Sequence, residues 1–532
     1  MDEFDYVVVG AGSSGGPLVD RLTATGRHSV LLLEAGPEAT SQWLSIPAGF
    51  AKALVDPAVN WKSWTQPEAQ LGGRRVYWPR GKVVGGSSAI GGMVYVRGLA
   101  SDYDGWRRMG NEGWSFQDCL PYFRRVEAVA NGEAEIPGSG GRVGITQGSY
   151  RNKLGEAFLD ACIEAGMSLT PDFNGRNQEG AGYYHATGSG GRRISTGWAY
   201  IQAARRRSNC RVLTNARAER VMVEEGRAVG VAYRRGGTSR TARARREVIL
   251  SAGAVGSPQL LQLSGIGAGA HLSSLGIPVV RDMPGVGENL QDHYCIRSTY
   301  RTWWRLSLND DFHMMHRRLS ALLVYAIWRM GPLTAMPAFA GAFARLLPDS
   351  NEPDTQLYFL PWSFESVEKG PHPFSGFTIL ANHCRPESRG HVRITSREAD
   401  APPAIAANYL STECDRRAVV AAARFIRLLA RCPALRRIVV EELLPGVEVW
   451  KDEEFLAFAR REGQSAYNPV GTCRMGYDPG AVVDPRLRVH GVEGLRIADA
   501  SVMPTLVSGN TNAACMMIGE KASDLILADA ER

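Results

Sequence analysis

The stretch from Tyr6 to Gly36, YVVVGAGSSGGPLVDRLTATGRHSVLLLEAG, constrains this chain more than any other. Val7, Val8 and Val9 run into Gly10-Ala11-Gly12-Ser13-Ser14-Gly15, a helical pattern follows through Leu18 and Leu22, and a second apolar run, Val30 to Leu33, ends on Glu34. The order is strand, glycine turn, helix, strand. Continuous apolar runs suit strands of a parallel sheet that is covered on both faces. Gly10 is expected to make the tight turn, Gly12 to let backbone approach a pyrophosphate and Gly15 to let the helix pack closely, with phosphates on the helix N-terminus. Glu34, about 20 residues beyond the glycines, is placed to accept from ribose hydroxyls.

At 532 residues the chain exceeds one simple core, and two domains are expected. A formal charge of +7 would suit nucleic acid or an anionic surface only if the arginines gathered on one face. They are scattered, and the densest group, Arg240 to Arg246, follows Gly236-Gly237 and reads as the solvated arm of a hairpin. No nucleic-acid partner is expected. The nine cysteines stand singly, without C-x-x-C or paired histidine spacing, so neither a zinc site nor a disulfide framework is indicated and a reducing cytoplasm fits. The first strand begins too early for a signal peptide. No apolar run reaches the ~18 residues of a membrane span. The longest, from Ala321 to Trp328 and on toward Ala344, is broken by Arg329, Gly331 and Pro332 and reads as a buried or interfacial helix.

Further along, Pro79-Arg80-Gly81-Lys82-Val83-Val84-Gly85-Gly86-Ser87-Ser88-Ala89-Ile90-Gly91-Gly92-Met93 sets glycines and small hydroxyls among apolar residues at core-like intervals. This reads as backbone packed against a cofactor. Helical periodicity is expected over 154–168 and from Ser195 to Arg205. Strands are expected at Arg211 to Leu213, Glu219 to Glu224, Ala228 to Tyr233 and Val248 to Ala252. A helix start follows at Ser257-Pro258, then a glycine turn at 284–293. Aromatics crowd the next segment (Trp303, Trp304, Phe312, Tyr325, Trp328, Phe339, Phe343, Tyr358, Phe359, Trp362 and Phe364), as either an apolar substrate chamber or an ordinary core. Strands are expected at Gln356 to Leu360 and Phe377 to Leu380. The tail, from Leu495 through Asp499 and Asn512 to a final helix, is expected to return to the first domain.

Five ordered segments, GKVVGGSSAIGGMVYVRG (81–98), GAVGSPQLLQLSGIG (253–267), PGVGENLQDH (284–293), NPVGTCRMG (468–476) and IADASVMPTLVSGNTNA (497–513), resemble the glucose-methanol-choline (GMC) oxidoreductase family, nearest its choline-dehydrogenase-like branch. The resemblance implies an α/β chain. A Rossmann-like FAD-binding domain (1–153, 196–293 and 466–532) would join an α+β substrate domain with an antiparallel sheet (154–195 and 294–465). It assigns the ADP moiety to Gly10, Gly12, Ser13, Ser14, Gly15 and Glu34, and the adenine side to the Val221 backbone. The pyrophosphate or ribityl chain falls to Asp499 and Ala500, with Asn510 and Thr511 beside them. The isoalloxazine falls to the segment holding Gly85, Ser87, Gly91, Gly92, Met93 and Val94. Ile90 stands where some relatives attach FAD through a histidine, so the FAD is expected to be non-covalent. Gly91 stands where the family often has asparagine.

The implied chemistry is hydride transfer from the carbon of a small alcohol to flavin N5, with oxygen or another acceptor taking the electrons, while a histidine receives the hydroxyl proton. That histidine is missing. The motif reads Ala466-Tyr467-Asn468-Pro469-Val470-Gly471-Thr472, and the expected catalytic pair is Asn468 and Asn512. A carboxamide donates and accepts hydrogen bonds but takes no proton at neutral pH. Three readings follow. Another base serves, such as water, Tyr467, or one of His313, His316, His372 and His383; or the substrate, an amine or an acidic hydroxyl, needs none; or the chemistry is not alcohol oxidation, as in flavin-bound hydroxynitrile lyases and light-driven fatty-acid decarboxylases. A flavin-holding protein without turnover is the reading from another class. His293 is expected to be structural.

Overall fold

The computed structural model describes residues 2–129, 135, 138, 140–148, 150–303, 305–366 and 369–531. Along the chain its two large sheets draw on β1 (Asp2–Val9), β2 (Val30–Leu33), β3 (Gly180–Tyr183), β4 (Cys210–Leu213), β5 (Ala216–Glu224), β6 (Arg227–Arg235), β7 (Thr238–Leu250), β8 (Tyr294–Thr302), β9 (Ala340–Ala344), β10 (Thr355–Leu360), β11 (Gly376–His383), β12 (Val439–Leu444), β13 (Gln464–Ser465) and β14 (Leu495–Ile497). The helices that bear on function are α1 (Gly15–Thr23), α2 (Ser87–Ile90), α3 (Gly253–Leu263), α4 (Met315–Trp328), α5 (Glu413–Arg431) and α6 (Asn512–Ala530).

The unbroken apolar runs behave as their lack of alternation requires. Val7 to Val9 and Val30 to Leu33 are buried on both faces and pair in parallel, Tyr6 with Val30 through Val9 with Leu33. The first sheet runs β4-β2-β1-β7-β6-β5, with β14 also on β7. Its parallel core (β4, β2, β1, β7 and β14) is continued by the antiparallel β7-β6-β5 meander. The arginine-rich hairpin arm is the first half of β7, where Arg243 pairs with Glu224 and Arg245 with Asp5.

The second sheet runs β12-β8-β11-β10-β9-β3, with β13 on β8, and is antiparallel throughout. Helix α5 begins where the Thr412 side chain accepts from Asp415 N. It buries Ala418, Val419, Ala422, Ala423, Ile426 and Leu429, the spacing of one helical face turned to a core. The aromatic-rich segment is mostly core: Phe359 stacks with Phe158 at 4.9 Å and meets Phe377 at 5.4 Å. Trp303, Phe312 and Trp328 are exposed, so they line no chamber. Trp304 lies outside the described residues. Among the described residues, no helix is long and apolar enough to cross a membrane.

Chain order brings the chemistry to one place. Asp292 and His293 precede β8, Asn468 follows β13 on the same sheet edge, and β14 carries the chain back to the first sheet before α6.

Candidate active site

A cavity of about 900 Å³ opens where α1, α3 and α6 begin, walled by the glycine loop, the 81–94 segment and the loop before α6. Gly10 has φ +103°, and a side chain there would run into Ser251 O. Gly12 differs, since a Cβ there would meet nothing closer than Gly86 Cα at 3.9 Å, which leaves backbone facing open space. Glu34, at the end of β2, accepts from Ala11 N at 3.0 Å and Gly36 N at 2.8 Å. Burial pushes its carboxyl up to about 7 against the pull of those N–H groups. Each oxygen keeps a lone pair for a ribose hydroxyl. Ser13 Oγ donates to Asn512 Oδ1 at 2.7 Å and so brings the start of α6 to the glycine loop. Helix N-termini present unpaired N–H groups and positive potential, which suits phosphate. An exposed glycine backbone, converging helix starts, a carboxylate at the strand end and a long cavity together fit FAD.

Gly10, Gly12, Ser13, Ser14, Glu34, Ser87, Gly91, Gly92, Met93, Val94, Asp499, Ala500, Asn510, Thr511 and Asn512 all line the cavity. Three expected residues stand behind its wall. Gly15 packs against Gly10 O; Gly85 N donates to Ala11 O at 2.8 Å; and Val221 N, expected to face the adenine, already donates to Ser264 Oγ at 2.8 Å. Ala216, Arg217 and Ala218 line the cavity instead, where β5 begins. Asp499 is saturated by Gly253 N, Ser257 Oγ, Ser501 N and Ser501 Oγ at 2.5–2.9 Å. It therefore ties the start of α3 to the end of β14.

At the other end a bend carries Asn468. Asp292 Oδ1 accepts from Asn468 N at 2.8 Å, and its other oxygen accepts from Ser465 Oγ and Tyr409 Oη. Burial raises this carboxyl to about 6. Tyr467, at φ +64°, offers its carbonyl to half-buried Arg80 at 2.6 Å. The side chain of Asn468 is held as firmly as its backbone. His293 Nε2 lies 2.9 Å from Cys384 O and must carry its proton there, because a carbonyl only accepts. His293 Nδ1 is thus a bare acceptor, and Asn468 Nδ2 donates to it at 3.2 Å. Asn468 Oδ1 then faces Thr511, whose N and Oγ1 approach at 3.4 and 3.3 Å. Burial pushes His293 down to about 4, so the imidazole is neutral.

Asn512, expected to pair with Asn468, accepts from Ser13 at its Oδ1, whereas the nearby Asn510 accepts from Gln356 Nε2 at its Oδ1 at 3.2 Å, and Gln356 Oε1 accepts from Tyr358 Oη at 2.8 Å. Both partners stand on β10, so the second sheet sets the angle of a residue that belongs to the first. Sequence reasoning passed over Gln356, Tyr358, Arg80 and the contact of His293. Only Arg80 carried a local signal, from its place directly before Gly81.

The substitute bases fare poorly. Among the described residues, no histidine lines the cavity. His313 lies 3.2 Å from Pro371 O, His372 is on Ser363 Oγ at 3.2 Å, His383 is on Asp354 O at 2.9 Å, and His316 is exposed on α4. Burial drives the Tyr467 phenol further above its usual range. No cluster of His, Cys, Asp and Glu fit for a metal occurs among the described residues.

The GMC oxidoreductase family matches this chain twice, its N-terminal part over residues 4–295 and its C-terminal part over 386–519. An oxygen-dependent choline dehydrogenase of Photobacterium profundum is 42% identical over 98% of this chain and 93% of its own length. An alcohol dehydrogenase [acceptor] of Pseudomonas putida is 38% identical over 98% and 96%. Among solved structures, pyridoxine 4-oxidase from Mesorbium loti superimposes with TM-score 0.88 at 30% identity, covering 98% of each chain. An FAD-dependent oxidoreductase from Chaetomium thermophilum does so with TM-score 0.91 at 26% identity, covering 99% of this chain and 100% of its own. With its glycine loop, helix starts and Glu34 arranged for a dinucleotide, the chain belongs to the GMC oxidoreductase family and is an FAD-dependent enzyme of the alcohol-oxidising kind.

Proposed function

We propose that this enzyme oxidises the CH–OH group of a neutral organic alcohol, with Asn468 and Asn510 gripping the hydroxyl oxygen and no side-chain base taking its proton. The observation that carries this reading is the lock on Asn468, with Nδ2 on a neutral His293 and Oδ1 toward Thr511. Each carboxamide has its oxygen engaged within the protein, which leaves N–H groups for the substrate oxygen. Donors fixed in advance favour the charge that grows on that oxygen as the proton leaves to water. Bound FAD, held non-covalently with Ile90 and Gly91 against the cavity, supplies the acceptor for the hydride from the carbinol carbon.

The cavity's carboxylates argue against a cationic substrate. Glu34 holds the glycine loop, Asp499 is saturated, and Asp400 pairs with Arg217 and Arg234. A quaternary ammonium such as choline, named for bacterial relatives and a human one, finds no free carboxylate among the described residues that line the cavity.

The test is anaerobic bleaching of the flavin by neutral primary alcohols beside choline. Bleaching by the neutral alcohols supports the reading; bleaching by choline alone overturns it. Asn468→His should add a limb near pH 6.5 to the rate profile and raise turnover by at least about tenfold, since a positioned base contributes ~10²–10⁴-fold. Unchanged turnover in that variant would remove position 468 from the chemistry.

A further inference from the structure

Helix α4 stands outside the chemistry and breaks the usual rule for a surface helix. Its buried residues are only Ala321 and Tyr325. Met315, Leu319, Leu322, Leu323 and Ile327 recur at the spacing of one helical face, and that face looks outward: Met315 is 76% exposed, Leu323 62% and Ile327 64%. Trp328, 63% exposed, closes its C-terminal end. Contiguous apolar surface of this kind marks a surface meant to be covered.

The charge around the face says by what. Residues 312–348 contain no Asp or Glu but include Arg317, Arg318, Arg329 and Arg345; of these Arg317 meets Asp311, just ahead of the segment, at 3.9 Å. Arg318 is exposed and lies over the exposed ring of Phe312 at 6.0 Å, and Arg329 lies over Tyr325 at 4.9 Å. A second copy docked face to face would set Arg318 and Arg329 against their like, and the adjoining acids are already engaged, Asp311 by Arg317 and Asp310 by Ser307 and Ser375. Anionic phospholipid supplies both an apolar layer and negative headgroups. From α4 the chain passes to Pro337, whose Cγ lies 3.7 Å from where a Cβ on Gly92 would stand, and Gly92 lines the cofactor cavity.

We propose that the outer face of α4 docks the enzyme peripherally on an anionic phospholipid bilayer, apolar side chains in the interface and arginines among the headgroups. The helix lies in the surface plane rather than crossing it. Docking sets the cavity beside the bilayer, where an apolar alcohol concentrates.

The test is sedimentation of the FAD-loaded enzyme with vesicles of mixed phosphatidylcholine and phosphatidylglycerol, and with phosphatidylcholine alone, at low and high salt. Expected is binding to the mixed vesicles that weakens with salt. It should fall by roughly tenfold or more when Arg318 and Arg329 are both changed to Gln, or in the double variant Leu323→Glu with Ile327→Glu. Turnover of a water-soluble alcohol should stay unchanged in both, showing an intact fold. No binding to mixed vesicles, or binding that the glutamates leave intact, overturns the proposal. A concentration-dependent dimer that the same glutamates dissolve, without vesicle binding, assigns the face to a second copy and overturns it equally.

Discussion

The two ends of the cavity are built by opposite means. At the nucleotide end the critical groups are backbone N–H groups and glycines within one stretch, with Glu34 tied back to Ala11 and Gly36. At the chemical end four distant segments meet: Asp292 and His293, Gln356 and Tyr358, Asn468, and Asn510 with Thr511. The first end therefore depends on conformations a short sequence can specify, the second on the angle between two sheets. Damage at the first should cost cofactor, and at the second rate alone.

The most severe break is Gly10→Ala. It demands an unfavourable positive φ and a collision with Ser251 O, so loss of bound flavin and destabilisation of more than about 4 kcal/mol are expected from absorbance and thermal melting. Next is Asn468→Ala, which should keep its flavin and lose about 10²–10³-fold in kcat, the scale of removing one positioned donor. Flavin loss in that variant would mean the two ends are one unit and sink the comparison.

His293→Leu sharpens it. Without the Nδ1 acceptor the Asn468 amide is free to turn, and kcat should fall about tenfold to a hundredfold with flavin content unchanged. The same residue sets a pH signature. An imidazole in the unfolded chain takes a proton near 6.5, whereas buried His293 does so only near 4. The unfolded chain therefore binds the proton first, and stability is lost as pH falls through that window, by up to about 3 kcal/mol. Denaturation midpoints across the window should fall less steeply in the leucine variant. Gln356→Leu, which leaves Asn510 Oδ1 with the Tyr358 hydroxyl at 3.3 Å as its remaining partner, should cost less, up to about tenfold in kcat with flavin retained. Smallest is Arg245→Ala, whose solvent-facing guanidinium pairs with exposed Glu3 and half-buried Asp5 and whose loss should leave the thermal midpoint nearly unchanged.

Much of the nucleotide end is legible from sequence because its parts are close in the chain: a valine run, a glycine turn and an acid about 20 residues on. The Val221 N–H, expected on the adenine side, donates to Ser264 Oγ; no spacing rule reports which backbone donors are already spent. At the chemical end Asn512 and Asn510 are indistinguishable as letters in the stretch Asn510-Thr511-Asn512. A residue's helical or loop geometry decides which one faces Ser13 and which faces β10, and that geometry is fixed only when α6 docks on the glycine loop.

By itself the sequence determined the parallel core, the FAD-type cradle and the absence of a histidine at position 468, because unbroken apolar runs, positive-φ glycines and a missing titratable group are local facts. Tertiary structure decided how the asparagine there is held. The protonation of His293 depends on Cys384 O, the orientation of Asn468 on His293, and that of Asn510 on Gln356. Hydrogen bonds between groups remote in the chain have no address in the sequence until the sheets have packed.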